Sequence, residues 1–215
     1  MAAAGLTAVR RRIAEAAAAA GRSADDITLV AVSKGRSLDQ ILEVYAAGHR
    51  DFGENRAQEL VEKVPRLPDD IRWHFVGPLQ RNKARKVRGA LLHSLDREPL
   101  ARTWVGAPAL VQVNIGEESQ KHGVAPAAAL EFVDLCRGVG VEVHGLMAIP
   151  PRAAFPEQAR PFFAKLRRLR DDAGRHHPQV RELSMGMTDD FEIAVSEGAT
   201  MVRIGRAIFG ASDSE

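Results

Sequence analysis

Residues 27–34 read Ile-Thr-Leu-Val-Ala-Val-Ser-Lys, a short apolar run rich in β-branched residues that ends on a lysine. A run of this length and composition reads as a buried strand. Alternation along it sets Val30, Val32 and Lys34 on one face. Seven further runs of the same kind follow, at residues 50–54, 73–79, 91–95, 110–115, 141–149, 183–187 and 201–205. Between them lie segments of helical period at 38–47, 57–64, 82–87, 97–104, 126–137, 156–173 and 190–197. Eight strands alternating with helices predict an α/β fold, a single (β/α)8 TIM-type barrel spanning residues 1–215. The run at 91–95 is weak, which leaves an open doubly wound sheet as the alternative. Ahead of the first strand, Leu6, Val9, Ile13 and Ala17 recur at helical spacing, so an amphipathic helix opens the chain. Glu15 interrupts its alanine run, and a targeting peptide is not expected.

In such a barrel, chemistry belongs at the C-terminal ends of the strands. Lys34 is expected there, pointing inward and stripped of water, as an amine nucleophile. The plain alternative is a lysine snorkelling over the rim. The last two strand runs end in Ser184-Met185-Gly186-Met187-Thr188-Asp189-Asp190 and Arg203-Ile204-Gly205-Arg206. Loops after strands seven and eight are the usual phosphate site of this fold, and Gly186 and Gly205 would let backbone N–H groups approach an anion. Equally, these glycines can serve only tight turns. Asp189 with Glu192 reads as a capping box at the next helix rather than an acid/base pair.

Composition narrows the partners. The 215 residues, 45% hydrophobic, suit one domain with a sizeable core. A net charge of +2 provides no broad field for nucleic acid or an anionic membrane. The run Arg81, Lys83, Arg85, Lys86, Arg88 lacks interleaved aromatics and reads as a solvated face. No stretch approaches the roughly 20 apolar residues that span a bilayer. Cys136, the sole cysteine, cannot form an internal disulfide and is expected to pack in a helix. A soluble, monomeric, cytoplasmic protein is expected. The histidines show no metal-binding spacing, and His74 reads as a hydrogen-bonded core residue.

Several motifs occur in order: Val32-Ser33-Lys34, Asp51-Phe52-Gly53-Glu54-Asn55, residues 73–80 (Trp-His-Phe-Val-Gly-Pro-Leu-Gln), Gly145-Leu146-Met147-Ala148-Ile149-Pro150, and residues 184–190. Over residues 27–210 the chain resembles the pyridoxal-phosphate homeostasis proteins, barrels of the alanine racemase type. The resemblance implies that Lys34 carries pyridoxal 5′-phosphate as a Schiff base. It implies that Arg203 faces the pyridine nitrogen and that Ser184, Gly186 and Gly205 surround the phosphate. Asn55, Met147 and Arg206 complete the implied site. Two positions depart from the family pattern: Arg206 stands where a small hydroxyl residue is usual, and Arg56 stands where an aromatic is common. Arg206 is expected to face the ligand, because outward it would only oppose the helix dipole.

Three functions compete. The resemblance implies a non-catalytic carrier that makes the cofactor available to apoenzymes. An amino-acid racemase would need proton-transfer groups on both faces of its substrate, and the only tyrosine, Tyr45, falls in a helix. A Schiff-base aldolase on a phosphorylated substrate could also use Lys34 and the phosphate loops.

Overall fold

The β-branched run forms β1 (Thr28–Val32), and β2 (Asp51–Glu54), β3 (Arg72–Phe75), β4 (Leu91–Leu95), β5 (Pro108–Gln112), β6 (Glu142–Met147), β7 (Glu182–Ser184) and β8 (Met201–Ile204) follow in a computed structural model that describes residues 1–152 and 154–211. Each strand pairs in parallel with its neighbours in sequence, and β8 returns to pair with β1. The sheet is therefore a closed barrel. The open alternative falls away, because the weak run is β4, bonded to both β3 and β5. Its register slips between Leu92 and Leu95, an irregularity that accounts for its poor alternation.

The helices are α1 (Ala2–Ala19), α2 (Leu38–Ala46), α3 (Ala57–Lys63), α4 (Glu98–Ala101), α5 (Ala129–Gly138), α6 (Arg160–His176), α7 (Phe191–Ser196) and α8 (Arg206–Phe209). A true capping box, Ser37 with Gln40, starts α2. Two expected helices are shorter or tighter than their pattern. Residues 82–87 form a 3-10 segment, Arg81–Val87, whose buried residues, Ala84 and Val87, lie three apart, the period at which 3-10 side chains eclipse. The segment at 97–104 yields only the single turn of α4, and Trp104 beyond it is buried with its indole N–H donating to Pro108 O. No helix among the described residues is long and apolar enough to cross a membrane.

Alternation divides the core. Ala31, Phe52, Phe75 and Leu92 face outward into the layer beneath the helices, where Cys136 of α5 is also buried. Leu110, Met147 and Met201 form a separate cluster inside the barrel. The interior is unusually polar, for Asp51, His74, His93, Ser184 and Arg203 are all buried. The structure seats α1 as its apolar stripe requires, with Leu6, Val9, Ile13 and Ala17 buried. Because α8 has a single turn, α1 lies against α2, α7 and α8 to finish the helical layer. Gly5 permits the contact, since a Cβ there would stand 2.4 Å from Ile208 O. Burial of Leu6, Val9 and Ile13 contributes about 1.5–3 kcal/mol each.

Near the far end of α2, the buried His49 donates from Nε2 to Asp51 O at 2.8 Å and faces the Arg10 guanidinium of α1 through Nδ1 at 3.3 Å. Burial pulls its pKa down to about 4, with Arg10 adding to the effect and the Asp51 carbonyl opposing it. An unfolded chain takes up a proton here as pH falls through the usual histidine range, and the folded chain does not. Stability is therefore lost on acidification. A fall of about 2 kcal/mol between pH 7 and pH 5 is expected from this residue. Urea unfolding checks it, and His49→Gln should flatten the dependence by that amount.

Candidate functional site

Parallel pairing of β1 with β8 sets Val30 beside Arg203 and Ala31 beside Ile204. The chain leaves β1 through Ser33 and Lys34 and leaves β8 through Gly205, so the lysine and the last-strand glycine share one edge of the mouth. A Cβ on Gly205 would come within 3.2 Å of Val32 O, which measures how tightly the two strand ends approach.

Lys34 stands in the turn after β1 and is exposed, where an amine stripped of water was expected. Its neighbours are tied down behind the sheet. Ser33 is fully buried; its N–H donates to Gly53 O at 2.8 Å and its hydroxyl to Glu54 Oε1 at 2.7 Å. Lys63 of α3 donates to Ser33 O at 2.8 Å, to Glu54 Oε1 at 2.6 Å and to Glu59 Oε2 at 3.2 Å. Glu59 also accepts the Gly35 N–H at 2.8 Å, and Gly35 adopts φ +66°, a conformation that glycine tolerates best. Both flanks of Lys34 are thus anchored, which fixes the turn that presents the lysine. Burial pushes the Glu54 carboxyl up, against the pull of Lys63 and Ser33.

Arg203 is 5% exposed. It donates from Nη1 to Ser184 Oγ at 2.6 Å and from Nη2 to Ala148 O at 3.1 Å. Burial lowers its pKa to about 10, with Asp190 opposing, so the guanidinium stays charged at neutral pH. Ser184, expected at a phosphate, has its hydroxyl engaged by Arg203 on one side and by His93 Nδ1 at 2.8 Å on the other. Met147 pairs in register with Ser184 and packs beside Leu110 and Met201. His74 is a buried core residue, as its place in the strand motif suggests. His93 escapes sequence reading because its run, Leu-Leu-His-Ser-Leu, looks like apolar filling; its one signal is a polar residue on the inward side of a strand.

Gly186 has φ +92°, and a Cβ would meet Ala194 Cβ at 2.6 Å, so only glycine fits. Its carbonyl accepts the Arg203 N–H at 3.0 Å, which locks the loop after β7 to β8. The expected Asp189–Glu192 capping box does not form. Asp190 instead takes the Met187 N–H at 2.7 Å and occupies the cap position of α7, while Glu192 pairs with Arg12 of α1. Asp189 pairs with Arg206 at 2.6 Å, and both side chains are more than half exposed. Arg206 thus spans the two strand-end loops on the rim, where a ligand-facing arrangement was expected. Beside it, the Arg206 and Ala207 amides precede the first bonded amide of α8, the Ile208 N–H to Gly205 O.

Across the mouth, Asn55 follows β2 with its Oδ1 buried and without a hydrogen-bond partner among the described residues. It borders a cavity of about 770 Å³ shared with Arg56, Lys83, Arg97 and His122. Arg56 extends into solvent beside Glu59, so this side of the mouth is cationic where an aromatic wall is common in the family pattern.

A closed parallel barrel with a lysine just past the first strand and a buried arginine on the last is an alanine racemase-type domain, and the family model "Alanine racemase, N-terminal domain" matches residues 5–213. A protein of Aquifex aeolicus named pyridoxal phosphate homeostasis protein is 42% identical over 218 residues, covering 95% of this chain and 96% of its own. The structure of PipY from Synechococcus elongatus PCC7942 with PLP bound superimposes with a TM-score of 0.81 at 32% identity, covering 98% of this chain and 100% of PipY. The chain belongs to the pyridoxal phosphate homeostasis protein family. Alanine racemase from Corynebacterium glutamicum shares the fold alone, with a TM-score of 0.70 at 15% identity over 97% of this chain and 62% of the racemase.

The anchored flank of Lys34 generates a prediction independent of any ligand. Lys63→Met leaves the Glu54 carboxylate buried without its cation, and should cost about 3–5 kcal/mol in urea unfolding. Adding Glu54→Gln should recover at least half of that loss, because a neutral amide no longer needs the ammonium.

Proposed function

We propose that this chain binds pyridoxal 5′-phosphate at the barrel mouth through Lys34 and serves as a cytoplasmic carrier that makes it available to apoenzymes, with residues 1–215 acting as one binding domain. The observation that carries the reading is the convergence of Lys34, Arg203 and Gly205 through the β1–β8 pairing. The name shared by the curated relatives and the PLP bound in PipY support it.

The residues present fit the group. An amine at the strand end suits an aldehyde. Gly186, Gly205 and the leading amides of α8 suit a phosphate, and Asn55 Oδ1, without a partner among the described residues, leaves an acceptor for a ligand donor. When bound, pyridoxal phosphate supplies an aldehyde carbon for amines and a ring that withdraws electrons from it. Arg203 can only donate, so it leaves a ring nitrogen facing it unprotonated and weakens that withdrawal. Ser184 holds the guanidinium from beneath. This supports a carrier over a racemase. Tyr45, moreover, donates to Asp70 at 2.7 Å at the opposite end of the barrel, where it cannot supply the second proton-transfer group.

The purified, loaded protein should show a visible absorption band that Lys34→Ala abolishes while the barrel stays folded, with no steady turnover of common amino acids. A borohydride-trapped adduct on the Lys34→Ala protein would overturn the assignment. Lysine-dependent racemisation would return the reading to an enzyme, and a purified protein that acquires no band would favour an aldolase.

Arg206 is proposed to join the phosphate contacts once ligand is present. Its exposed pair with Asp189 is worth at most about 1 kcal/mol, against roughly 1.5–3 kcal/mol for a charge-assisted phosphate contact. Arg206→Thr should therefore weaken pyridoxal phosphate about tenfold and leave unphosphorylated pyridoxal unchanged. Equal affinities for the phosphorylated ligand at matched ionic strength would place the guanidinium permanently on Asp189.

A further inference from the structure

A line of hydrogen bonds crosses the barrel interior beneath the mouth. At the N-terminal end Arg72 holds Asp51 through Nε at 2.8 Å and Nη2 at 2.5 Å. Asp51 Oδ1 lies 3.2 Å from His74 Nε2, and His74 Nδ1 lies 2.9 Å from His93 Nε2. His93 Nδ1 is 2.8 Å from Ser184 Oγ, the oxygen on which Arg203 donates. The line thus joins a carboxylate at one end to a guanidinium at the other, across five strands, β2, β3, β4, β7 and β8, that contribute no two residues adjacent in sequence.

The chemistry of each group fixes a direction. Asp51 is ionised; burial resists the charge, but the hydrogen bonds of His74 and Arg72 outweigh it and hold the carboxyl far below its usual range. It can only accept, so His74 carries hydrogen on Nε2. With a single hydrogen on His74, its Nδ1 is bare, and His93 must donate to it from Nε2. Complete burial above all, with the charge of Arg203 nearby, keeps His93 neutral. Its Nδ1 is therefore bare as well, and the partner able to fill it is the Ser184 hydroxyl. With its hydrogen committed there, Ser184 Oγ turns lone pairs to Arg203.

We propose that His93, backed by His74 and Asp51, is a positioning residue for the cofactor site: by taking the Ser184 hydroxyl hydrogen it makes that serine a fixed acceptor that pins the Arg203 guanidinium. The proposal rests on the reading that Arg203 faces the ring nitrogen of pyridoxal phosphate. In the reverse direction His93 would donate to Ser184, and the serine hydrogen would swing free beside the ligand. One direction holds a rigid donor under the ring; the other leaves a mobile hydroxyl there.

The direction is read first in the unmodified, ligand-free protein. With histidine labelled in 15N at pH 8, two-bond nitrogen–proton correlations should place the His93 hydrogen on Nε2, and a hydrogen on Nδ1 overturns the relay. Two variants then test the consequence for Arg203. His93→Leu removes the acceptor; His93→Gln keeps an amide oxygen for Ser184 and an NH2 for His74. Without ligand, distinct Arg203 Nη resonances in the wild-type and Gln proteins should average in the Leu protein. With pyridoxal phosphate, the Leu variant should bind about tenfold more weakly and the Gln variant within threefold of wild type. Wild-type affinity in the Leu variant, or a Gln variant as weak as Leu, sinks the positioning role. Should the Leu protein fail to fold, the tautomer measurement and the Gln variant still decide the case. A wild-type protein lacking a Lys34-dependent band would instead sink the cofactor reading, and the ligand-free resonances would still report the relay.

Discussion

The parallel pairing of β1 with β8 is the constraint on which the rest depends. Residues 28–31 meet residues 201–204 across the whole chain length, and that single seam converts a row of β/α units into a closed surface with one mouth. Without it Lys34 and Arg203 would lie at opposite edges of an open sheet. The helical layer is adapted to the same seam. A one-turn α8 covers little of it, and α1, the first helix of the chain, crosses back to lie against the last.

Much of this was legible in the sequence, because it rests on periodicity. Strand runs such as 27–34 and 201–205, and the stripe Leu6, Val9, Ile13, Ala17, announce their faces by alternation and by helical spacing. Gly186 and Gly205 could be placed at strand ends; a side chain would collide at the first and be crowded at the second. What stayed hidden depends on partners far apart in the chain. Nothing local shows that Lys63 ties down Ser33, or that Asp189 meets Arg206 rather than Glu192. His93 is the clearest case, since its meaning comes from His74 and Ser184, neither of which its own strand reveals.

The barrel interior departs from the usual filling of branched apolar side chains. A buried carboxylate, two imidazoles, a hydroxyl and a guanidinium occupy space that aliphatic groups fill in a purely structural barrel. Each polar group costs free energy unless its partners are in place, and here each has them. The interior is accordingly specified by hydrogen-bond geometry as much as by volume. Polar groups so placed are a feature of sites, where local stability is given up for orientation.

The turn that carries Lys34 has a kinetic meaning. Its root is immobilised by Lys63, Glu54 and Glu59, yet the side chain itself stands in solvent. No slower loop motion is needed to bring this turn into contact with water. For a cofactor held on this lysine, as proposed, the attachment point would be open to a competing amine from bulk water. Such openness ill suits a reactive carbanion, which enzymes protect by excluding water, and it suits reversible exchange between one amine and the next.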